Sequence, residues 1–156
     1  MVFAFLRGFF FQFQVLEDLA QETFLRAYRH MADFDVKKGA SFSTWLLTIA
    51  RNLALNEKAK KERRREYAGR SVNRIQVSSE EGPQDLLEKR NLYSRVREAI
   101  NRLPDKFQSV VVLSYFEELS IEEIARIEKC PLGTVKSRIS RGKQILRQFL
   151  EKERVL

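Results

Sequence analysis

Apolar residues near the start of the chain recur at helical spacing. From Leu16 to about Met31 they fall three and four positions apart, which is the period of an amphipathic helix. The predicted inner face of this helix holds Leu16, Leu19, Ala20, Thr23, Phe24, Ala27, Tyr28 and Met31. The opposite face carries Asp18, Gln21, Glu22 and Leu25. Because Leu25 is an apolar side chain among polar ones, it is a candidate anchor for a partner.

A second helix is predicted to begin at Ser41 or Ser43, both good N-caps, and to continue to about Glu66. Its first half is apolar and contains Trp45. Its second half is basic, because residues 51–70 hold eight basic and three acidic residues, a net charge of +5. A charge run is usually a solvated helix face. Here it extends an apolar helix that carries an aromatic pair, which favours a nucleic-acid surface.

The helical pattern fades after Tyr67. Glycines, serines and a proline interrupt the following stretch, which is typical of a linker. We therefore divide the chain into a first domain at 1–66, a flexible linker at 67–90 and a second domain at 91–156.

The last third of the chain is predicted to form three or four helices, within the ranges 91–103, 105–118, 121–129 and 134–153. Pro104 suits the first turn of the second of these helices. Ser120 and Glu123 have the spacing of a capping box at the start of the third. A short helix, a turn of about four residues and a second helix form a helix-turn-helix. The predicted fold is all-α, with two small helical domains of which the C-terminal one is a helix-turn-helix.

The net charge of +8 over 156 residues is unevenly spread. Residues 129–150 hold six basic residues and no acid, whereas residues 98–128 hold seven acids against three bases. Phosphates are attracted to the first surface and repelled by the second. Four side chains share the outward stripe of the last helix and are predicted to reach base edges: Lys136, Ser137, Ser140 and Arg141. Arg138, Lys143 and Arg147 flank them and suit phosphates. The alternative is a solvated basic helix in an ordinary bundle.

The chain has one Cys and one His, so few side chains could act as a catalytic nucleophile or as metal ligands. A disulfide framework, a Cys-cluster zinc site and a His-pair metal site are excluded. We expect no metal and no cofactor, and a binding protein rather than an enzyme. A nuclease that uses Glu17, Asp18 and Glu22 is the enzymatic alternative, but a second acidic cluster is lacking.

The N-terminal segment is unusually rich in phenylalanine, with six of the 12 Phe in the first 13 residues. Arg7 and Gln12 interrupt its apolar run, and no signal-peptidase site follows. A spanning helix needs about 20 apolar residues. We expect a cytoplasmic protein without stable membrane insertion, in which this segment packs onto the first domain. A membrane-surface anchor is the alternative, although the segment lacks a basic face.

Three blocks of sequence, in order, resemble those of bacterial sigma factors. Residues 17–28 resemble the helix that binds core RNA polymerase, and residues 42–52 resemble the promoter-melting helix. Leu103-Pro104 and the residues at 120–125 and 130–138 resemble the C-terminal helix-turn-helix. The compact build is similar to the extracytoplasmic-function (ECF) group of the sigma-70 family. The resemblance covers about residues 16–154.

This resemblance implies a protein that binds core RNA polymerase and directs it to promoter DNA. It assigns polymerase binding to Asp18, Gln21, Glu22 and Leu25. It assigns the minus-ten element and the opening strand to Trp45, Arg51, Asn52, Asn56 and Lys60, with the loop at 38–41. It assigns the minus-thirty-five element to Thr134, Lys136, Ser137, Arg138, Ser140, Arg141 and Lys143. Members of the family often have an anti-sigma factor, which adds such a protein to the candidate partners.

Alternatives remain open at several of these positions. Trp45 has the spacing of a core residue as well as of a base contact, and Asn52 and Asn56 suit any exposed helix. Residues 91–154 would look similar in an autonomous helix-turn-helix regulator that binds an operator without polymerase. The chain also departs from the family pattern before residue 16. There the family has a longer helical segment, so its first helix is predicted to be missing or replaced.

Overall fold

A computed structural model describes residues 1–35, 39–67 and 84–152, with the backbone alone for 84–91. The described residues form seven α-helices and no strand, which confirms the all-α prediction. The helices are α1 (Val2–Arg7), α2 (Phe13–Arg29), α3 (Phe42–Tyr67), α4 (Gln84–Asn101), α5 (Asp105–Tyr115), α6 (Ile121–Glu128) and α7 (Leu132–Lys152). A short 3-10 helix at Met31–Asp33 follows α2. Within these ranges, no helix combines the length and the apolar character that crossing a membrane requires.

Helix α2 buries a narrower stripe than its sequence predicts. Leu16, Leu19, Thr23 and Ala27 are buried, and they lie on one line along the helix. Phe24 and Tyr28, in contrast, are 55% and 78% exposed, so their predicted place on the inner face is wrong. Met31, beyond the end of α2, is 48% exposed as well. One residue along a helix turns it by about 100°. The step from position 23 to 24, or from 27 to 28, therefore carries the side chain past the packed stripe.

The start of α3 is fixed by Ser41, one of the two predicted caps. Its hydroxyl oxygen accepts a hydrogen bond from the backbone N–H of Thr44 at 3.1 Å. The helix then runs to Tyr67, as the sequence predicts to within a residue. Leu46, Leu47 and Ala50 lie on its buried side.

The phenylalanine-rich segment forms α1 and the turn that follows it. Phe5 and Leu6 have no exposed surface, and Val2, Phe9 and Phe10 are also buried. These residues pack on α2 and α3, in agreement with the expected packing onto the first domain. Gly8 of the same segment also contacts α5, which the sequence does not indicate.

Apart from the start of α4, the bounds of the C-terminal helices agree with the predictions to within three residues. Helix α4 begins at Gln84, earlier than the predicted 91, and thus overlaps the predicted linker. The capping box at Ser120 and Glu123 is present at the start of α6. Lys129, at φ 51°, ends α6 in the left-handed conformation. Helix α7 begins at Leu132, two residues before the predicted start, and completes the helix-turn-helix.

One continuous apolar core joins the two parts of the chain. It contains Leu46, Leu47 and Ala50 of α3 together with Ile124 and Ile127 of α6. Helices α3 and α6 are in direct contact. The helices before and after the predicted linker therefore pack against each other in this structure.

The capping box of α6 predicts a pH-dependent stability. Hydrogen bonds from the backbone N–H and the hydroxyl of Ser120 lower the pKa of Glu123. A lowered carboxyl pKa stabilises the fold above the ordinary value of 4.5, and this contribution is lost as the pH falls through the folded-state pKa. Ser120→Ala should cost about 1 kcal/mol in free energy of unfolding at neutral pH. The loss should shrink in acid, as measured by denaturant titration followed by circular dichroism.

Glu122→Gln is the matched control, because it removes an exposed carboxylate of the same helix turn that is outside the capping box. Its cost should be smaller than that of Ser120→Ala. Equal costs for the two variants would contradict a stabilising capping box.

Candidate nucleic-acid interface

The outward stripe of α7 is exposed as predicted. Lys136, Ser137, Ser140 and Arg141 all face solvent, while Val135 and Gly142 on the opposite side are buried. The hydroxyl of Ser137 donates to the carbonyl oxygen of Thr134 at 3.0 Å. The stripe therefore presents two cations and two hydroxyls on one helix face. This combination suits hydrogen bonding to base edges in a major groove.

The residues that flank this stripe are partly engaged within the protein. Arg138 Nη1 lies 3.6 Å from Glu128 Oε2 and 3.8 Å from the sulfur of Cys130. Lys143 Nζ lies 5.6 Å from the ring centroid of Tyr115. Arg147 pairs with Glu151 at 2.7 Å, one helical turn further on. Lys143 and Arg147 keep exposed cations, whereas Arg138 turns toward α6.

Trp45 forms an aromatic cluster with Phe34 and Phe42 at the protein surface. The ring centroids of Trp45 lie 5.2 Å from those of Phe34 and 5.6 Å from those of Phe42. Trp45 is half-buried and packs against the core, and Phe42 is 42% exposed. Part of the Trp45 side chain therefore packs against the core, and part of it stays accessible for a contact.

A cleft of about 280 Å³ lies beside this cluster. It brings together two of the predicted residues, Trp45 and Asn52, and its remaining lining residues are Arg26, His30, Asp33 and Ile49. His30 Nδ1 lies 2.8 Å from Asp33 Oδ2. Asn56 and Lys60 are exposed further along α3, outside the cleft. Lys60 Nζ lies 3.8 Å from a carboxylate oxygen of Glu57.

Arg51 does not point freely into solvent but pairs with a buried carboxylate of α6. Its Nε and Nη2 donate to the two oxygens of Glu128 at 3.1 and 2.9 Å. The Glu128 side chain has no exposed surface, and its Oε1 also accepts from the hydroxyl of Ser109. Two parallel charge-assisted bonds make this a strong and directional pair. The two residues are 77 positions apart, so no local sequence signal indicates it.

A second polar contact across the same interface centres on Gln108, which is fully buried. Lys58 Nζ donates to Gln108 Oε1 at 2.6 Å and also pairs with Asp105. Arg126 of α6 donates to the backbone carbonyl of Gly39, next to the start of α3. The basic helix α3 is thus held against the C-terminal helices by charged and polar groups.

The predicted polymerase-binding face of α2 lies on the surface. Asp18 and Gln21 are exposed, Leu25 is 43% exposed, and Glu22 is half-buried beside Arg26 at 2.6 Å. Phe24 and Tyr28 extend this surface with aromatic rings that the sequence pattern places on the opposite face. The four predicted side chains share one face, as their three-and-four spacing requires.

Two family models match the chain. Sigma-70 region 2 matches residues 1–64, and sigma-70 region 4 matches residues 93–146. The match to region 2 does not favour an autonomous helix-turn-helix regulator, which has no need of that region.

Individual relatives agree with these matches. The chain is 38% identical to the ECF RNA polymerase sigma factor SigW of Bacillus subtilis, over 86% of this chain and 74% of SigW. It is 31% identical to the RNA polymerase sigma-H factor of Pseudomonas aeruginosa, over 88% of this chain and 74% of that protein. Among solved structures, the sigma factor RpoE of Bartonella quintana, in complex with the anti-sigma factor NepR, superposes with a TM-score of 0.74. That match has 26% identity and covers 96% of this chain and 89% of RpoE.

The Arg51–Glu128 pair predicts a large stability effect. Arg51→Ala leaves the buried carboxylate with only the more distant Arg138 and the Ser109 hydroxyl. Because Arg51→Ala leaves the buried Glu128 carboxylate without its main counter-charge, the free energy of unfolding should fall by about 3 kcal/mol. Denaturant titration at neutral pH measures this change.

Arg64→Ala removes the same side chain from an exposed position of the same helix and serves as the control. Its effect should stay within about 0.5 kcal/mol. A loss from Arg51→Ala as small as that of the control would show that the pair contributes little to stability.

Proposed function

The chain belongs to the ECF group of the sigma-70 family, and we propose that its two parts have separate roles in promoter recognition. The protein is an RNA polymerase sigma factor that directs core polymerase to promoters. In our proposal, residues 1–66 bind polymerase and handle the minus-ten element, and residues 91–156 read the minus-thirty-five element. Residues 67–90 link them. The observation that carries this proposal is the simultaneous exposure of the α2 polar face and the α7 basic stripe.

Polymerase binding is assigned to Asp18, Gln21, Glu22 and Leu25 of α2. Support comes from an exposed apolar residue surrounded by acidic and amide groups, an arrangement that matches the apolar centre and polar rim of protein interfaces. Phe24 and Tyr28 add aromatic surface next to that anchor. Aromatic residues are enriched among the side chains that contribute most to binding.

Minus-ten recognition and strand opening are assigned to Trp45, Arg51, Asn52, Asn56 and Lys60 of α3. The accessible aromatic cluster and the basic second half of the helix support this role, since unpaired bases stack on aromatic rings and their backbone follows cationic grooves. Arg51 is occupied by Glu128 in this structure, so its contact with DNA requires that this pair be exchanged for phosphate.

Minus-thirty-five recognition is assigned to α7. Lys136, Ser137, Ser140 and Arg141 are proposed to read bases, and Thr134, Arg138 and Lys143 to contact the backbone around them. The second helix of a helix-turn-helix lies in the major groove with such side chains toward the base edges. The absence of acidic residues from 129 to 150 removes repulsion from the phosphates.

The remaining parts of the proposal concern partners and chemistry. Sigma factors are generally non-catalytic, and we propose that the polymerase supplies all of the chemistry, without a cofactor on this chain. An anti-sigma factor is a further proposed partner, because the structurally similar RpoE is found with one. The place of action is the cytoplasm, where core polymerase and promoter DNA are present.

Run-off transcription with purified core polymerase tests the polymerase-binding assignment. Asp18→Arg reverses a charge at the centre of the α2 face, and it should weaken retention on core polymerase at least tenfold and lower transcription in proportion. Glu122→Arg makes the same charge change at an exposed carboxylate of α6, away from α2, so it should bind core polymerase nearly as well as the wild type. The assignment is contradicted if the wild-type protein supports no transcription with core polymerase, or if the two variants bind core polymerase equally well.

The basic stripe predicts two different kinds of loss. Arg141→Ala should cost about 1–3 kcal/mol in binding and relax sequence preference, because it removes a base contact. Lys143→Ala should weaken binding evenly across promoter sequences and lower the salt slope by about one unit, because it removes a phosphate contact. Holoenzyme binding to a set of promoter variants at several salt concentrations measures both. Equal losses on all sequences from Arg141→Ala would argue against base readout.

A further inference from the structure

We propose that residues 2–10, which we call the N-terminal clasp, hold the two DNA-reading parts of this protein in a closed state. In that state Arg51 is withheld from DNA, and the clasp must release before both parts engage a promoter. The effect on promoter use rests on the proposed function. The closed state itself rests on contacts within the chain.

The clasp is apolar and lies at the junction of the two parts. Val2, Phe5, Leu6, Phe9 and Phe10 are each at most 6% exposed. They belong to the same core cluster as Leu47 of α3 and Val112 of α5. Removal of apolar surface of this extent from water is the main favourable term in the association of two folded parts.

Hydrogen bonds from the C-terminal part fix the clasp in position. Gln108 Nε2 of α5 donates to the carbonyl oxygen of Gly8 at 2.9 Å. Arg97 Nη2 of α4 donates to the carbonyl oxygens of Arg7 and Phe10 at 2.8 and 3.1 Å. The Arg97 guanidinium also lies 4.8 Å from the ring centroid of Phe11. These donors satisfy carbonyl groups at the end of α1 and in the turn after it, where the next helical turn that would pair them is missing.

Gly8 shows how closely the two parts approach. A Cβ atom at this position would lie 2.6 and 2.8 Å from the two γ-carbons of Val112. The backbone of Gly8, at φ −72° and ψ −11°, is one that any residue adopts. The contact across the interface, and not the backbone conformation, therefore requires glycine here.

The interface between α3 and the C-terminal helices holds Arg51, which is assigned to promoter DNA, and a second cation of the same helix, Lys58. Arg51 is paired with Glu128, and Lys58 is bound to Gln108 and Asp105. Both cations lie in the basic helix α3. A ligand that needs the open form binds with an affinity reduced by the fraction of molecules that are open. By keeping most molecules closed, the clasp would thus lower the apparent affinity of the protein for promoter DNA.

Gly8→Ala in the full chain tests this proposal, because the added methyl group would overlap the side chain of Val112 and push the clasp away from α5. A compact chain of this length has a radius of gyration of about 15 Å. Small-angle scattering should show expansion of the variant relative to the wild type. Binding to core polymerase and to promoter DNA should become about tenfold tighter, which corresponds to 1.4 kcal/mol.

Three further variants make the test specific. Gly142→Ala places a methyl group 2.7 Å from Val111, but between α5 and α7 within one part. It should alter stability without expansion or tighter binding. Gly8→Ala with Val112→Ala restores space for the methyl group and should return the chain to the compact form. Arg97→Gln adds no volume and removes the guanidinium group that donates to the clasp carbonyls. It should increase the radius of gyration, as Gly8→Ala does.

The proposal is overturned if Gly8→Ala and Arg97→Gln leave the radius of gyration unchanged, or if Gly142→Ala expands the chain equally. Failure of the proposed function is a separate result. In that case wild type and variants all fail to bind core polymerase, while the scattering comparison still decides whether the clasp closes the chain.

Discussion

The buried carboxylate of Glu128 constrains how this protein can fold. A charge without exposed surface requires partners, and Glu128 finds them in Arg51 of α3, Ser109 of α5 and Arg138 of α7. Satisfying one side chain therefore fixes three helices around the end of α6. The apolar contacts between α3 and α6 follow from this placement, because Leu47 and Ala50 lie on the same helix as Arg51.

The same pair links the stability of the fold to its proposed function. In that proposal Arg51 contacts promoter DNA, whereas in this structure it pairs with Glu128. A guanidinium cannot bind a buried carboxylate and a phosphate at the same time with full geometry. Under the proposed function, the compact form and promoter DNA therefore compete for one cation, and separation of the two parts would free Arg51 for DNA.

Local features of the fold could be predicted from the sequence because their partners lie within four residues. The cap at Ser41, the capping box at Ser120 and Glu123, and the outward stripe of α7 are of this kind. The width of the buried stripe of α2 could not be predicted, since it depends on which neighbours pack there. Phe24 and Tyr28 are therefore exposed although helical spacing places them near the apolar face. The roles of the individual site residues remain predictions.

The sequence by itself determined the all-α class, the helix-turn-helix, the uneven charge and the resemblance to sigma factors. The first three follow from residue types and from their spacing within and between neighbouring helices, and the resemblance follows from three blocks of sequence in a fixed order. Only the tertiary structure decided that the phenylalanine-rich segment contacts α5, that Gly8 meets Val112, and that Arg51 pairs with Glu128 across 77 residues. The physical reason is that burial and pairing depend on which surfaces meet in space, and a linear pattern records only neighbours along the chain.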